Sequence, residues 1–316
     1  MRASDVRAAT SVPAILPKAD WWGWMLAMTS TFAFSFAPPI ARGAMQAGMQ
    51  PVTLVAIRLT LAAILVGLTI ALTNRRLLQL HPQAIAIAAG AGAINGVGML
   101  LFFLALTRVD ASMSSMIIST SPLVVLSLLA LRGERFTYRH LVRLALGIGG
   151  VYLVIGPSGR VDPPGVMLLL LSTLLFATHM VLLQWYLRDY DARSVTFYIS
   201  LSMALVLIIT WASQGMEWHD PGVSGWLAIG GLVVVSTYLA RLTLVAAVGR
   251  IGGGQMAMLA PVETMFTVTW SMLFLGERLT PIQWVGGALI LFSALLAIQR
   301  LGTARWRPRW RLWSRV

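Results

Sequence analysis

Residues 51–73 read PVTLVAIRLTLAAILVGLTIALT, a run that opens on proline and carries a single charge, Arg58. An α-helix rises about 1.5 Å per residue, so a run of this length crosses the roughly 30 Å hydrocarbon core of a bilayer. Apolar residues surround the run instead of forming one stripe, as a helix bathed in lipid requires. The same pattern recurs along the chain. It predicts ten membrane-crossing helices, at 21–41, 51–73, 83–105, 111–131, 138–156, 164–187, 195–214, 222–247, 252–275 and 281–300. His81-Pro82, Gly156-Pro157 and Asp220-Pro221 mark gaps between them. Pro51 and Pro281 sit at helix starts, where a missing N–H leaves no helical bond unmade. The fold class is all-α integral membrane.

Composition agrees. Of 316 residues, 58% are hydrophobic and 11% charged, and mean hydropathy is +0.78; soluble domains carry about 25% charged residues. The absence of cysteine excludes disulfides, thiolate metal sites and cysteine nucleophiles. The net charge of +13 raises the question of nucleic acid, but the positive residues cluster in short loops and in the tail. Eighteen Lys and Arg fall on the side of both termini, and four (Arg42, Arg108, Arg160 and Arg278) on the other. Positive loops stay cytoplasmic, which predicts a multi-pass protein of the cytoplasmic membrane with both termini inside.

Gly133-Glu134-Arg135-Phe136-Thr137 returns as Gly276-Glu277-Arg278-Leu279-Thr280, 143 residues later. Ala105-Leu106-Thr107-Arg108 returns as Ala247-Val248-Gly249-Arg250. The chain thus divides into an N-tail (1–20), a first repeat (21–156), a linker (157–163), a second repeat (164–300) and a tail (301–316). Five spans per repeat is an odd number, so the second repeat is expected upside down relative to the first, as in transporters.

A proline-containing span, then Gly-Glu-Arg-x-Thr, then a final span with glycine, occurs twice in ten spans. This resembles the drug/metabolite transporter superfamily, EamA-type branch, over about residues 21–300. Gly286 and Gly287 match the family's glycine after the second motif, whereas Arg143 stands where the first half would carry one. The resemblance implies two inverted five-helix EamA-like repeats. It also implies movement, in the export direction, of a small polar metabolite such as an amino acid. The motif itself reads as a cap: Gly ends one helix, while Glu and Thr serve the N-terminus of the next.

Charges inside the spans are the candidate sites, because an Arg or Asp at a helix centre costs about 2.5–3.5 kcal/mol on insertion scales. Arg58 lies roughly 10 Å into the second span and Glu263 roughly 16 Å into the ninth. Arg58 is a candidate substrate contact, with snorkelling to headgroups as its structural alternative. Arg241 reads as structural. Glu263 and His179 are candidates for proton coupling, against a structural Glu–Arg pair and a neutral hydrogen-bonded histidine. Asn95, among Gly90, Gly92, Gly96 and Gly98, is a candidate substrate contact or an interhelical bond. Tyr238 and Trp270 complete the substrate-binding set; Trp21, Trp22 and Trp24 read as interface belt.

No metal-ligand spacing, nucleophile elbow or nucleotide loop occurs, so no cofactor, metal or catalytic residue is expected. Arginine and tryptophan alternate from Arg305 to Trp313, a pattern that suits anionic lipid better than RNA on a membrane-adjacent tail. The expected partners are therefore the solute, protons and lipid, without nucleic acid. A membrane-embedded lipid enzyme and a non-transporting sensor or partner protein remain as alternatives.

Overall fold

A computed structural model describes residues 20–130, 138–155, 162–187, 190–215, 220–251 and 259–303. Both expected tails except Asp20 and 301–303, the first Gly-Glu-Arg motif and most of the 157–163 linker lie outside these residues. The described residues are almost entirely helical, with no strand among them. Five helices are long and apolar enough to cross a membrane: 51–73, 82–106, 163–187, 193–213 and 222–244.

The expected spans at 21–41 and 111–131 are not single helices. The first is α1 (Trp21–Ser35) and α2 (Ala37–Gln46), with a break at Phe36. Pro38 and Pro39 have no N–H to give to the carbonyls of Phe34 and Ser35, four residues back, so the helix stops there. After α3 (Pro51–Thr73) and α4 (Pro82–Leu106), the fourth span is α5 (Ala111–Ile118) and α6 (Ser121–Ala130). Pro122 likewise leaves the Ile118 carbonyl without a helical donor. Next come α7 (Tyr138–Ile155) and α8 (Pro163–Leu182), which continues as a π-turn through Leu187, and then α9 (Ala192–Ser213). A second π-turn, Val234–Leu239, joins α10 (Gly222–Val233) to α11 (Ala240–Ile251). The last two helices are α12 (Ala260–Leu275) and α13 (Pro281–Thr303). Only 259–275 of the expected ninth span is described.

The outer surface is apolar as well as the core, and small polar side chains are buried inside. Ser30, Ser35, Ser236 and Ser271 are fully buried, while Leu227 and Ile209 are 72% and 65% exposed, the arrangement lipid favours. Trp21 and Trp22 are exposed at one end of α1, as belt residues would be. Contacts between helix ends sort the loops into two groups. At one end Arg250 meets Asp20 at 3.3 Å, and the Tyr198 hydroxyl donates to the Leu78 carbonyl at 2.5 Å. At the other, Arg42 meets Asp110 and Glu277, and Arg108 meets Asp162 at 3.0 Å. This is the grouping that the positive-charge count predicts for the two faces.

Packing is close where side chains are absent. Gly92 and Gly96 of α4 lie against the backbone of α9 and Gly98 against α8, whereas Gly90 faces open space. Between α13 and α7, a Cβ on Gly286 would stand 2.7 Å from the Gly150 carbonyl oxygen and 2.8 Å from the Val154 nitrogen. Backbone atoms cannot swing aside, so the helices must part. Gly286→Ala is expected to lose about 1–3 kcal/mol of stability in detergent unfolding, while Gly90→Ala stays neutral or gains. Equal melting of the two variants would refute the close crossing.

Candidate functional site

Three polar assemblies stand out within the helical bundle. The first ties the two halves together at one end. Gly276 takes φ 67° beyond α12, a left-handed cap that suits glycine, and turns Glu277 back toward α5. Glu277 accepts from the Ala111 N–H at 2.8 Å, the Ser112 N–H at 2.9 Å and the Ser112 hydroxyl at 2.6 Å. Its carboxylate therefore caps the positive N-terminus of α5, in the other half of the chain. The helix following the motif is capped by Thr280, as the motif predicts, with Gln283 taking the place expected of Glu277: the two exchange side-chain and backbone hydrogen bonds at 2.8 and 3.3 Å. Arg42 completes the assembly, with Nε 3.3 Å from Glu277, a terminal nitrogen 2.6 Å from Asp110, and bonds to the carbonyls of Leu106 and Val109. Burial, together with the charge of Glu277, raises the Asp110 carboxyl above its usual range, and Arg42 opposes the shift.

The second assembly surrounds the helix breaks. Thr267 of α12 donates to the Ser35 carbonyl at 3.1 Å, filling one of the acceptors stranded by Pro38 and Pro39. The Thr264 and Ser119 hydroxyls pair, joining α12 to the α5–α6 break. Trp270 lies here: its indole N–H donates to the Ser35 hydroxyl at 3.0 Å, and its ring stacks on Phe36 at 4.8 Å. Glu263 occupies the first turn of α12, where the helix dipole favours a carboxylate. It forms no ion pair among the described residues.

The third assembly contains the buried arginines. Arg58 of α3 is 3% exposed, so it turns inward instead of snorkelling. Its Nε donates to the Thr237 hydroxyl at 2.9 Å, in the π-turn halfway along the α10–α11 helix. Its guanidinium carbon stands 5.7 Å from the centre of the Phe103 ring. Thr237 in turn donates to the Leu232 carbonyl, five residues back, which fixes its lone pairs toward Arg58. One helical turn further on, Arg241 reaches the Ser200 hydroxyl of α9 at 3.4 Å. His179 is buried, with Nδ1 2.9 Å from the Ala91 carbonyl.

The predicted site residues thus separate. Arg58 and Tyr238 adjoin the π-turn, and Tyr238 pairs with the Thr69 hydroxyl at 2.8 Å. Asn95 bonds the sulfur of Met203 between α4 and α9, at 3.4 Å. Trp270 has its contacts at the α1–α2 break, with Glu263 two turns away on the same helix. The sequence reading missed Thr237, Ser200 and the Arg42–Asp110–Glu277 assembly. The one available signal was the four-residue spacing of Thr237 and Arg241, which sets both on one helix face. A cavity of about 570 Å³ opens beside the same α3–α10 seam, lined by Gln50, Thr53, Ile57, Asp220 and Ser224 among others.

A solved crystal structure, 17% identical, covers 88% of this chain and 98% of its own with a TM-score of 0.62, so the two share a fold. An uncharacterized transporter of Archaeoglobus fulgidus is 25% identical over 208 residues, 66% of this chain and 74% of that protein. The uncharacterized transporter YcbK of Bacillus subtilis is 24% identical over 216 residues, 65% of this chain and 69% of its own length. The EamA-like transporter family pattern matches twice, over residues 21–156 and 163–299. With nearly the whole helical region matched in two copies, the chain belongs to the EamA-like transporter family.

Proposed function

We propose that this chain is a secondary transporter that exports a small polar metabolite, such as an amino acid, across the cytoplasmic membrane by alternating access. Ten crossings in two inverted halves, with both termini inside, would let the halves open in turn to opposite faces. The observation that carries this reading is the Glu277 cap. A carboxylate of the second half closes a helix end of the first, beside Arg42 and Asp110, and a transporter must break such a contact to open that face. Helices interrupted within the bundle supply the other requirement, since their freed backbone groups are satisfied by side chains that exchange partners.

Arg58, Asn95 and Tyr238 contact solute in this reading, with Trp270 shaping the route beside the α1–α2 break. Glu263 is the proton-coupling group and His179 its second candidate. Glu263 shares α12 with Thr264 and Thr267, which bond the two helix breaks, so a change in its protonation acts directly on the hinges. Lipid surrounds the bundle, and the basic tail lies on anionic headgroups. Exchange assays in proteoliposomes, with panels of polar metabolites inside and labelled solute outside, test the function. Exchange of one class above protein-free vesicles supports it; none across the panel contradicts it. Glu263→Gln keeps size but cannot titrate, so it is expected to lose pH-driven transport and retain exchange. An unchanged rate and pH dependence would return Glu263 to a structural role.

A further inference from the structure

We propose that the transported solute carries an anionic group, a carboxylate or a phosphate, held between Arg58 and Arg241; this rests on the transporter reading and names its substrate class. Buried Arg58 bonds Thr237, and Arg241 stands four residues beyond Thr237 on the same helix face, so both arginines come to one region of the bundle interior. Neither forms an ion pair among the described residues. The described carboxylates at the helix ends have their own ties. Asp20 meets Arg250, Asp110 and Glu277 meet Arg42, Asp162 meets Arg108, and Asp191 meets Arg193. Asp220 accepts from the Gly222 N–H and the Trp226 indole. Glu263, the remaining one, stands by the helix breaks and pairs with neither arginine. The pair is therefore a concentration of positive charge that no described carboxylate balances.

The donors are arranged for an anion. Thr237 binds the Nε of Arg58 and the Phe103 ring lies beside the guanidinium, so the group is fixed in orientation. Its two terminal nitrogens donate to no described residue. A planar carboxylate, or two oxygens of a phosphate, fits that edge with two parallel bonds, which a point-charge donor such as lysine does not offer. Arg241 spends one nitrogen on a long contact to Ser200 and is the second arm. Like charges in one region repel, and an anion between them offsets that repulsion. Both arginines also lie beside or within helices that meet at the α10–α11 π-turn, so an anion bridging them would draw α3 and α11 together.

The test uses matched pairs of probes with the full-length protein: an amino acid and its amide, succinate and succinamide, a sugar phosphate and the free sugar. Binding is read as a shift in thermal unfolding, and transport as exchange in proteoliposomes. Members that bind wild-type protein are expected to carry the anion, with their uncharged-group analogues at least about tenfold weaker. Arg58→Lys and Arg241→Lys keep the charge and are expected to bind the same anions more weakly. Neutral analogues that bind and exchange as well as the anions would overturn the proposal and leave the transporter reading standing. Anions that bind through Arg58 and Arg241 but never cross would do the reverse. Failure of every anionic probe to bind overturns the proposal, as does stabilisation that follows the phosphatidylglycerol content of the vesicles and ignores soluble anions.

Discussion

Glu277→Ala will lose about 3–5 kcal/mol of folding stability, because the truncation leaves two buried backbone donors and the Ser112 hydroxyl unpaired and leaves Asp110 as the one carboxylate on Arg42. Detergent unfolding of the purified protein measures this. Asp110→Asn is the matched comparison. Asp110 is half-exposed, and its removal leaves Glu277 to hold Arg42, so the loss is expected to be small. Its pH signature has a definite sign. The Asp110 carboxyl sits above the ordinary 3.8 in the folded chain, chiefly through burial, so the ionised form is disfavoured by folding. That penalty is present in full above the folded pKa and disappears as pH falls toward 3.8. Relative to Asp110→Asn, wild-type protein should therefore gain stability on acidification. A wild-type curve that falls relative to the variant would show that the Arg42 pair, and not burial, governs this carboxyl.

Arg58→Met separates function from structure by moving stability and transport in opposite directions. Replacing a buried charge that has no counter-ion among the described residues by an apolar side chain of similar length removes a desolvation penalty, so folding is expected to be unchanged or stronger. Losing a buried charged donor costs about 2–5 kcal/mol of solute binding, a weakening of roughly 30-fold or more. Exchange rates and melting temperatures on the same preparation provide both readings. A variant that melts early and transports at its normal rate per folded molecule would make Arg58 a structural residue.

The membrane class, the two-copy architecture and the grouping of loop ends were legible because each depends on bulk properties: apolar length, a motif repeated at fixed spacing, and the sign of loop charges. The helix breaks were harder to see, although their cause stands in the chain. Pro38, Pro39 and Pro122 each remove a specific donor, but a hydropathy run takes no account of donors. Glu277 illustrates the deeper limit. Its chemistry as a helix cap was readable from residue type; its recipient, 166 residues away, is set by how the halves pack. Arg42 looked like a topology marker for the same reason. Trp270 has the aromatic character of a cavity wall, yet the stranded acceptors at the α1–α2 break draw it to Ser35. Arg58 was found from charge alone, whereas its companions Thr237 and Ser200 are ordinary hydroxyl residues until the π-turn and α9 bring them beside guanidinium groups.

Accessibility of a single cysteine at Ser200 measures alternating access most directly. The chain has no cysteine of its own, Ser200 is buried, and it touches Arg241 in the interior of the bundle. Ser200→Cys in right-side-out and inside-out vesicles is exposed to a membrane-impermeant thiol reagent. Labelling from both faces, slowed by bound solute, is the result expected of a central site that opens to each side in turn. Labelling from one face alone would contradict alternating access.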